Sequence, residues 1–110
     1  MQKISLTALA RGELAQALNS PSGRSARTVV GGHEHDLRQT VIALRAGEVQ
    51  SEHENPGEAT IHVLHGRLLL SAGESTWSGW VGDLLVVPDA RHSLTAVEDC
   101  VFLLTVAKDG

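Results

Sequence analysis

Six of the 110 residues are histidine, and imidazole is the side chain best suited both to binding a metal and to moving a proton near neutral pH. His53 and Asn55 are two residues apart, so an extended strand projects them from one face, an imidazole nitrogen beside an amide oxygen. His92 opens a later β-type run just after the turn at Pro88, and closing the sheet on itself brings it towards His53 although the two are distant in the chain. Glu58 follows the turn Asn55-Pro56-Gly57. A one-residue shift there swings its carboxylate towards the same place, and an unshifted strand turns it outward. Neutral imidazole with amide or carboxylate oxygen suits Fe, Mn, Ni or Zn.

The other candidate residues have plainer readings. His33 and His35 form a second pair in GGHEH, ahead of a strand expected to begin near Leu37, and are read as an exposed loop. His62 and His65 lie in ATIHVLHG; with Ile61 and Val63 directed inward, His62 packs outside at a sheet or dimer contact. Alternation groups Leu37, Gln39, Val41, Ala43 and Arg45 on one face, so Gln39 and Arg45 line either a pocket or a solvent edge. Trp77 and Trp80 are two of only three aromatic residues and are read as core or interface anchors, with stacking on a ligand as the alternative. Cys100 is the only cysteine and sits in CVFLLTV. That excludes an internal disulfide or a CxxC site and implies an inert core thiol. No serine nucleophile elbow, Walker loop or dinucleotide glycine fingerprint occurs.

These residues need a scaffold, and the pattern predicts an all-β one. Leu6, Leu9, Ala10, Leu14, Ala17 and Leu18 recur at helical spacing before the stop signals Asn19, Ser20, Pro21 and Gly23. Residues 1–24 are therefore expected to form a short N-terminal helix and connector, docked on the outside of the rest. From Thr28 the pattern becomes short β-type runs: TVV, LRQTVIAL, ATIHVL, RLLLSA, STWSG, DLLVV, HSLTAV and VFLLTV. Glycine-rich turns separate them, there is no room for crossover helices, and eight such strands suit a jelly-roll β-barrel over residues 28–107. The length is that of one domain, with one hydrophobic core and hence one site.

Composition excludes several classes. The formal charge of −4, with acids and bases interspersed, offers no footprint for nucleic acid or an anionic membrane. Arg11, Glu13 and Gln16 interrupt the N-terminal apolar residues, and no stretch is long enough to span a bilayer, so a cytoplasmic protein is expected.

Two segments, GEVQSEHENPGEATIHVLHG from Gly47 to Gly66 and GDLLVVPDARH from Gly82 to His92, resemble the two motifs of the cupin family. In the first motif Gly47, His53 and Gly66 stand in register, Asn55 replaces the second histidine, and Ala59 occupies the glutamate position with Glu58 one residue early. In the second, Gly82 and Pro88 are in register, Ala90 replaces a glycine, and His92 arrives one residue early. Fifteen residues separate Gly66 from Gly82, the short spacer common in that family.

The resemblance implies a single cupin domain over residues 1–110. A divalent transition metal (Fe, Mn, Ni or Zn) would be held by His53, Asn55, Glu58 and His92 and would serve a small-molecule ligand or substrate. Dioxygenase-like or isomerase-like chemistry would follow, with no residue assigned a catalytic role. A homodimer is implied as well. The alternative is a non-enzymatic metabolite-binding or sensory cupin without metal, which the losses at positions 55 and 59 favour.

Overall fold

The computed structural model describes residues 2–53 and 57–108, with backbone alone for 51–53 and 108. Helix α1 spans Leu6–Asn19. Ser5 caps it, its hydroxyl accepting from the Ala8 N–H at 3.2 Å, and the Ser20 N–H closes the far end on the Ala17 carbonyl. Its Ala10, Glu13 and Ala17 are buried, and the Glu13 carboxylate accepts a 2.7 Å hydrogen bond from the Ser25 hydroxyl. The helix is thereby tied to the strand that follows it.

Among the described residues nine strands follow: β1 Arg24–Val30, β2 Leu37–Leu44, β3 Val49–His53, β4 Gly57–His65, β5 Arg67–Ala72, β6 Ser75–Trp80, β7 Leu84–Val86, β8 His92–Ala96 and β9 Cys100–Lys108. All pairings are antiparallel. They form a five-stranded sheet, β1-β2-β9-β4-β7, and a four-stranded sheet, β3-β8-β5-β6. The all-β class, the strand-rich jelly roll and the short N-terminal helix are as expected. Among the described residues the hydrogen bonding makes two facing sheets rather than one continuous closed barrel.

Alternation along the strands builds two apolar layers. Between the sheets lie Ile42, Leu44, Ala59, Ile61, Val63, Leu68, Leu70, Leu94, Cys100 and Phe102. On the outer side of the larger sheet, Val41, Ala43, Val101 and Leu103 pack under Ala10 and Ala17 of α1, with Leu6, Leu9 and Leu14 around them. Strand β2 is therefore apolar on both faces at its C-terminal half, because each face has something to cover it.

Gly66 makes the β4–β5 turn at φ +74°, and a Cβ there would collide with the backbone of Asp99. Only glycine satisfies both conditions. The glycine that closes the first motif is thus a packing requirement of this turn.

Candidate site at the mouth of the sandwich

One end of the sandwich gathers the C-terminal ends of β3, β5 and β7, the N-terminal ends of β4, β6 and β8, and the β2–β9 pair at Arg38 and Val106. On the smaller sheet, Gln50 pairs with Leu94 and His53 with His92, so three residues of β3 cover two of β8. That extra residue is a β-bulge. It sets His53, rather than Glu52, opposite His92.

His92 shares its side of β8 with Leu94 and Ala96, all three buried, whereas Ser93 and Thr95 are only half-buried. At 5% exposure it is one of only two buried polar side chains among the described residues. Its Nδ1 lies 3.1 Å from the Ala90 carbonyl oxygen. A carbonyl can only accept, so Nδ1 is the donor, as in a histidine that binds a metal through Nε2.

Directly opposed residues of an antiparallel pair point to the same side. Trp77 pairs with Leu70, which is fully interior, so Trp77 faces inward from the edge strand β6. It nevertheless keeps 46% of its surface exposed. Trp80 is on the other side, its ring 4.5 Å from the Arg67 guanidinium, which also donates to the Ser78 hydroxyl at 3.1 Å. One tryptophan therefore belongs to the mouth, and the other to the outer surface as a cation–π partner.

On the larger sheet, Thr40 pairs with Leu104 and Arg38 with Val106, so Arg38 and Thr40 share the inward side. The Thr28 and Thr40 hydroxyls are 3.2 Å apart, one donating to the other. Gln39 is on the opposite side, donating to the Thr105 hydroxyl at 3.2 Å. Arg45 lies 3.4 Å from Glu48, which Arg24 also reaches at 3.1 Å. The hydrogen bond from Arg24, with Arg45 beside it, holds the Glu48 carboxyl below its ordinary range. Neither Gln39 nor Arg45 belongs to the mouth.

Glu58 is exposed on the side of β4 that carries Thr60 and His62, while Ala59 faces the interior with Ile61 and Val63. The register shift that would turn Glu58 inward does not occur at that residue. Asn55 lies outside the described residues. His33 and His35 are exposed, as expected of a loop. His62 is half-buried on the outer side of β4, and exposed His65 ends that strand. Burial pushes the Cys100 thiol up to about 12, and it is free and interior. Among the described residues no three His, Cys, Asp or Glu side chains gather as a metal site; the His53 side chain and Asn55 stand outside that comparison.

No protein-family model and no curated protein matches the chain. Solved structures do. A conserved protein of unknown function from Streptococcus pyogenes is 30% identical, with a TM-score of 0.74 over 83% of this chain and 79% of its own. An RmlC-like cupin protein from Desulfovibrio desulfuricans is 25% identical, at TM-score 0.66 over 76% of this chain and 81% of its own. A cupin superfamily protein from Desulfitobacterium hafniense is 17% identical, at 0.71 over 78% of each chain. The chain belongs to the cupin superfamily.

In this cupin the first motif runs through β3 and β4 and the second carries β7 into β8, and the strands pair motif to motif, β3 with β8 and β4 with β7. Alternation phased on Gln39 missed Arg38, Thr28 and Thr40. The available signal was α1 itself, since its Ala10 and Ala17 need an apolar partner and Val41 and Ala43 are the residues that supply it. No helix among the described residues is long and apolar enough to cross a membrane.

Proposed function

We propose that this cupin is a cytoplasmic homodimer that binds a divalent transition metal (Fe, Mn, Ni or Zn) at the mouth through His53 and His92. Asn55 is the third donor, and the site holds a small organic molecule. One observation carries the reading: a buried His92 whose Nδ1 donates to Ala90 stands opposite His53 in the strand register. Two imidazoles from paired strands with an amide oxygen suit a borderline first-row ion. When bound, such an ion supplies a Lewis acid that polarises a coordinated oxygen, the common requirement of dioxygenase-like and isomerase-like chemistry. The chain's own part is to fix the His92 ring through Ala90 and to enclose the site with the inward apolar residues Val87, Leu104 and Val106. Glu58, exposed on the outer side of β4, is left out of this donor set.

A metal-free barrel that binds a metabolite without chemistry is the second reading. Ala59 favours it, because this inward residue occupies the motif's glutamate position and offers no donor.

Elemental analysis of untagged protein, dialysed without chelator, separates the two. The metal reading expects near-stoichiometric Fe, Mn, Ni or Zn that is lost in both His53→Ala and His92→Ala. Thermal unfolding distinguishes lost ligand from lost fold. Wild-type protein that takes up none of the four metals after supplementation overturns it and leaves the metal-free reading.

A further inference from the structure

The inward strand positions at the mouth carry Arg38, Thr28, Thr40, Gln50, Ser75, Trp77 and His92. Among the residues whose side chains are described no Asp or Glu takes an inward strand position, and Arg38 makes no ion pair. Its side chain is exposed and passes Gly31, the Arg38 Cγ and the Thr28 methyl both lying within 4 Å of where a Cβ on that glycine would stand. Arg38 thus shares the inward side of the larger sheet with the Thr28–Thr40 hydroxyl pair and has no carboxylate of its own. A guanidinium in that setting presents a planar fork of donors matched to a carboxylate.

The stacking of the sheets places the other walls. At one edge Arg24 of β1 donates to the Val49 carbonyl of β3 at 3.1 Å, and at the other a Cβ on Gly79 of β6 would lie 3.0 Å from Leu85 of β7. Edge thus lies over edge, β1 with β3 and β7 with β6. Trp77 stands two strands along from β8, roughly 10 Å at ordinary strand spacing. A large aromatic face left half-exposed on an inward position is the remaining wall.

Building on the reading that the mouth holds a small molecule, we propose that its ligand is a small planar organic acid, with the carboxylate on Arg38 and the ring against Trp77. The two tryptophans make the test direct, because Trp80→Phe leaves Trp77 as the sole indole reporter. Benzoate is expected to change Trp77 fluorescence saturably at millimolar concentration, and benzamide, its uncharged counterpart, to bind at least about tenfold more weakly. Arg38→Gln should weaken benzoate about tenfold or more while leaving thermal unfolding unchanged, and Arg38→Lys should restore part of the loss. Trp77→Leu, followed by calorimetry, should weaken benzoate and benzamide alike. No saturable response to benzoate, equal affinity for benzamide, or an Arg38→Gln variant that binds normally overturns the proposal. Running each titration on metal-loaded and chelator-treated protein separates it from the metal reading. Metal uptake without benzoate binding overturns the organic-acid inference alone. Arg38-dependent benzoate binding without metal uptake sustains that inference and removes the metal.

Discussion

Ala59 faces the interior with its N-terminal neighbour Glu58 outside, and its carbonyl accepts from the Val87 N–H at 3.0 Å. It is paired with Val106, so the residue at the motif's glutamate position sits against apolar side chains. Replacing Ala59 with Glu places a carboxylate near the imidazoles, at the expense of burying a charge when no metal is present. The expected outcome for Ala59→Glu is a lower unfolding temperature than wild type in chelator and a larger upward shift on adding Mn or Zn, read by thermal denaturation in both conditions. Equal metal-induced shifts in the two proteins would mean that position 59 has no access to the ion. The identities of His53, His92 and Ala59 were open to motif reading, because a spacing is a property of the chain. That Glu58 lies outside was not, because it depends on the pairing of β4 with β9, where Glu58 opposes Ala107.

At the scale of elements, the β1–β3 edge is pinned by charge. Glu48, just before β3, accepts from Arg24 of β1 and lies beside Arg45, which holds its carboxyl below the ordinary value of 4.5. A carboxyl whose folded pKa is depressed adds stability that is complete above its unfolded pKa and disappears as pH falls through the lower folded one. Glu48→Gln should therefore lower the melting temperature slightly at pH 7 and flatten its fall below about pH 4.5, the loss of the wild-type advantage being checked by melts across pH 3–7. Both charges are partly solvated, so the effect is small and shrinks further with added salt. Helix α1 and most strands were legible from periodicity. The bulge in β3 was not, since an extra residue in a ladder leaves no mark on the alternation of so short a run.

For the whole molecule, the accessible surface is 6633 Å², whereas a folded monomer of 11.7 kDa exposes roughly 5,900 Å² by the size scaling of monomeric proteins. That is an excess of roughly 700 Å². Leu84 and Val86 on the outer side of edge strand β7 contribute to it, at 62% and 75% exposed. The expected outcome in light scattering coupled to size exclusion is a particle of twice the chain mass at micromolar concentration. A mass equal to one chain at that concentration would contradict the homodimer and leave those side chains as plain surface.

The sequence by itself determined the fold class and its punctuation. Period-two runs with glycine turns build antiparallel sheets, and the 3.6-residue pattern of residues 6–18 builds a helix. These are local matters, decided by what each segment can bury or bend. Only the tertiary structure decided which side of β2 looks into the mouth, since α1 covers Val41 and Ala43 and so assigns Arg38 and Thr40 to the opposite, inward side of the sheet. It also decided that His53 meets His92, because pairing register is a property of two strands together and one inserted residue exchanges every inward side chain for its neighbour.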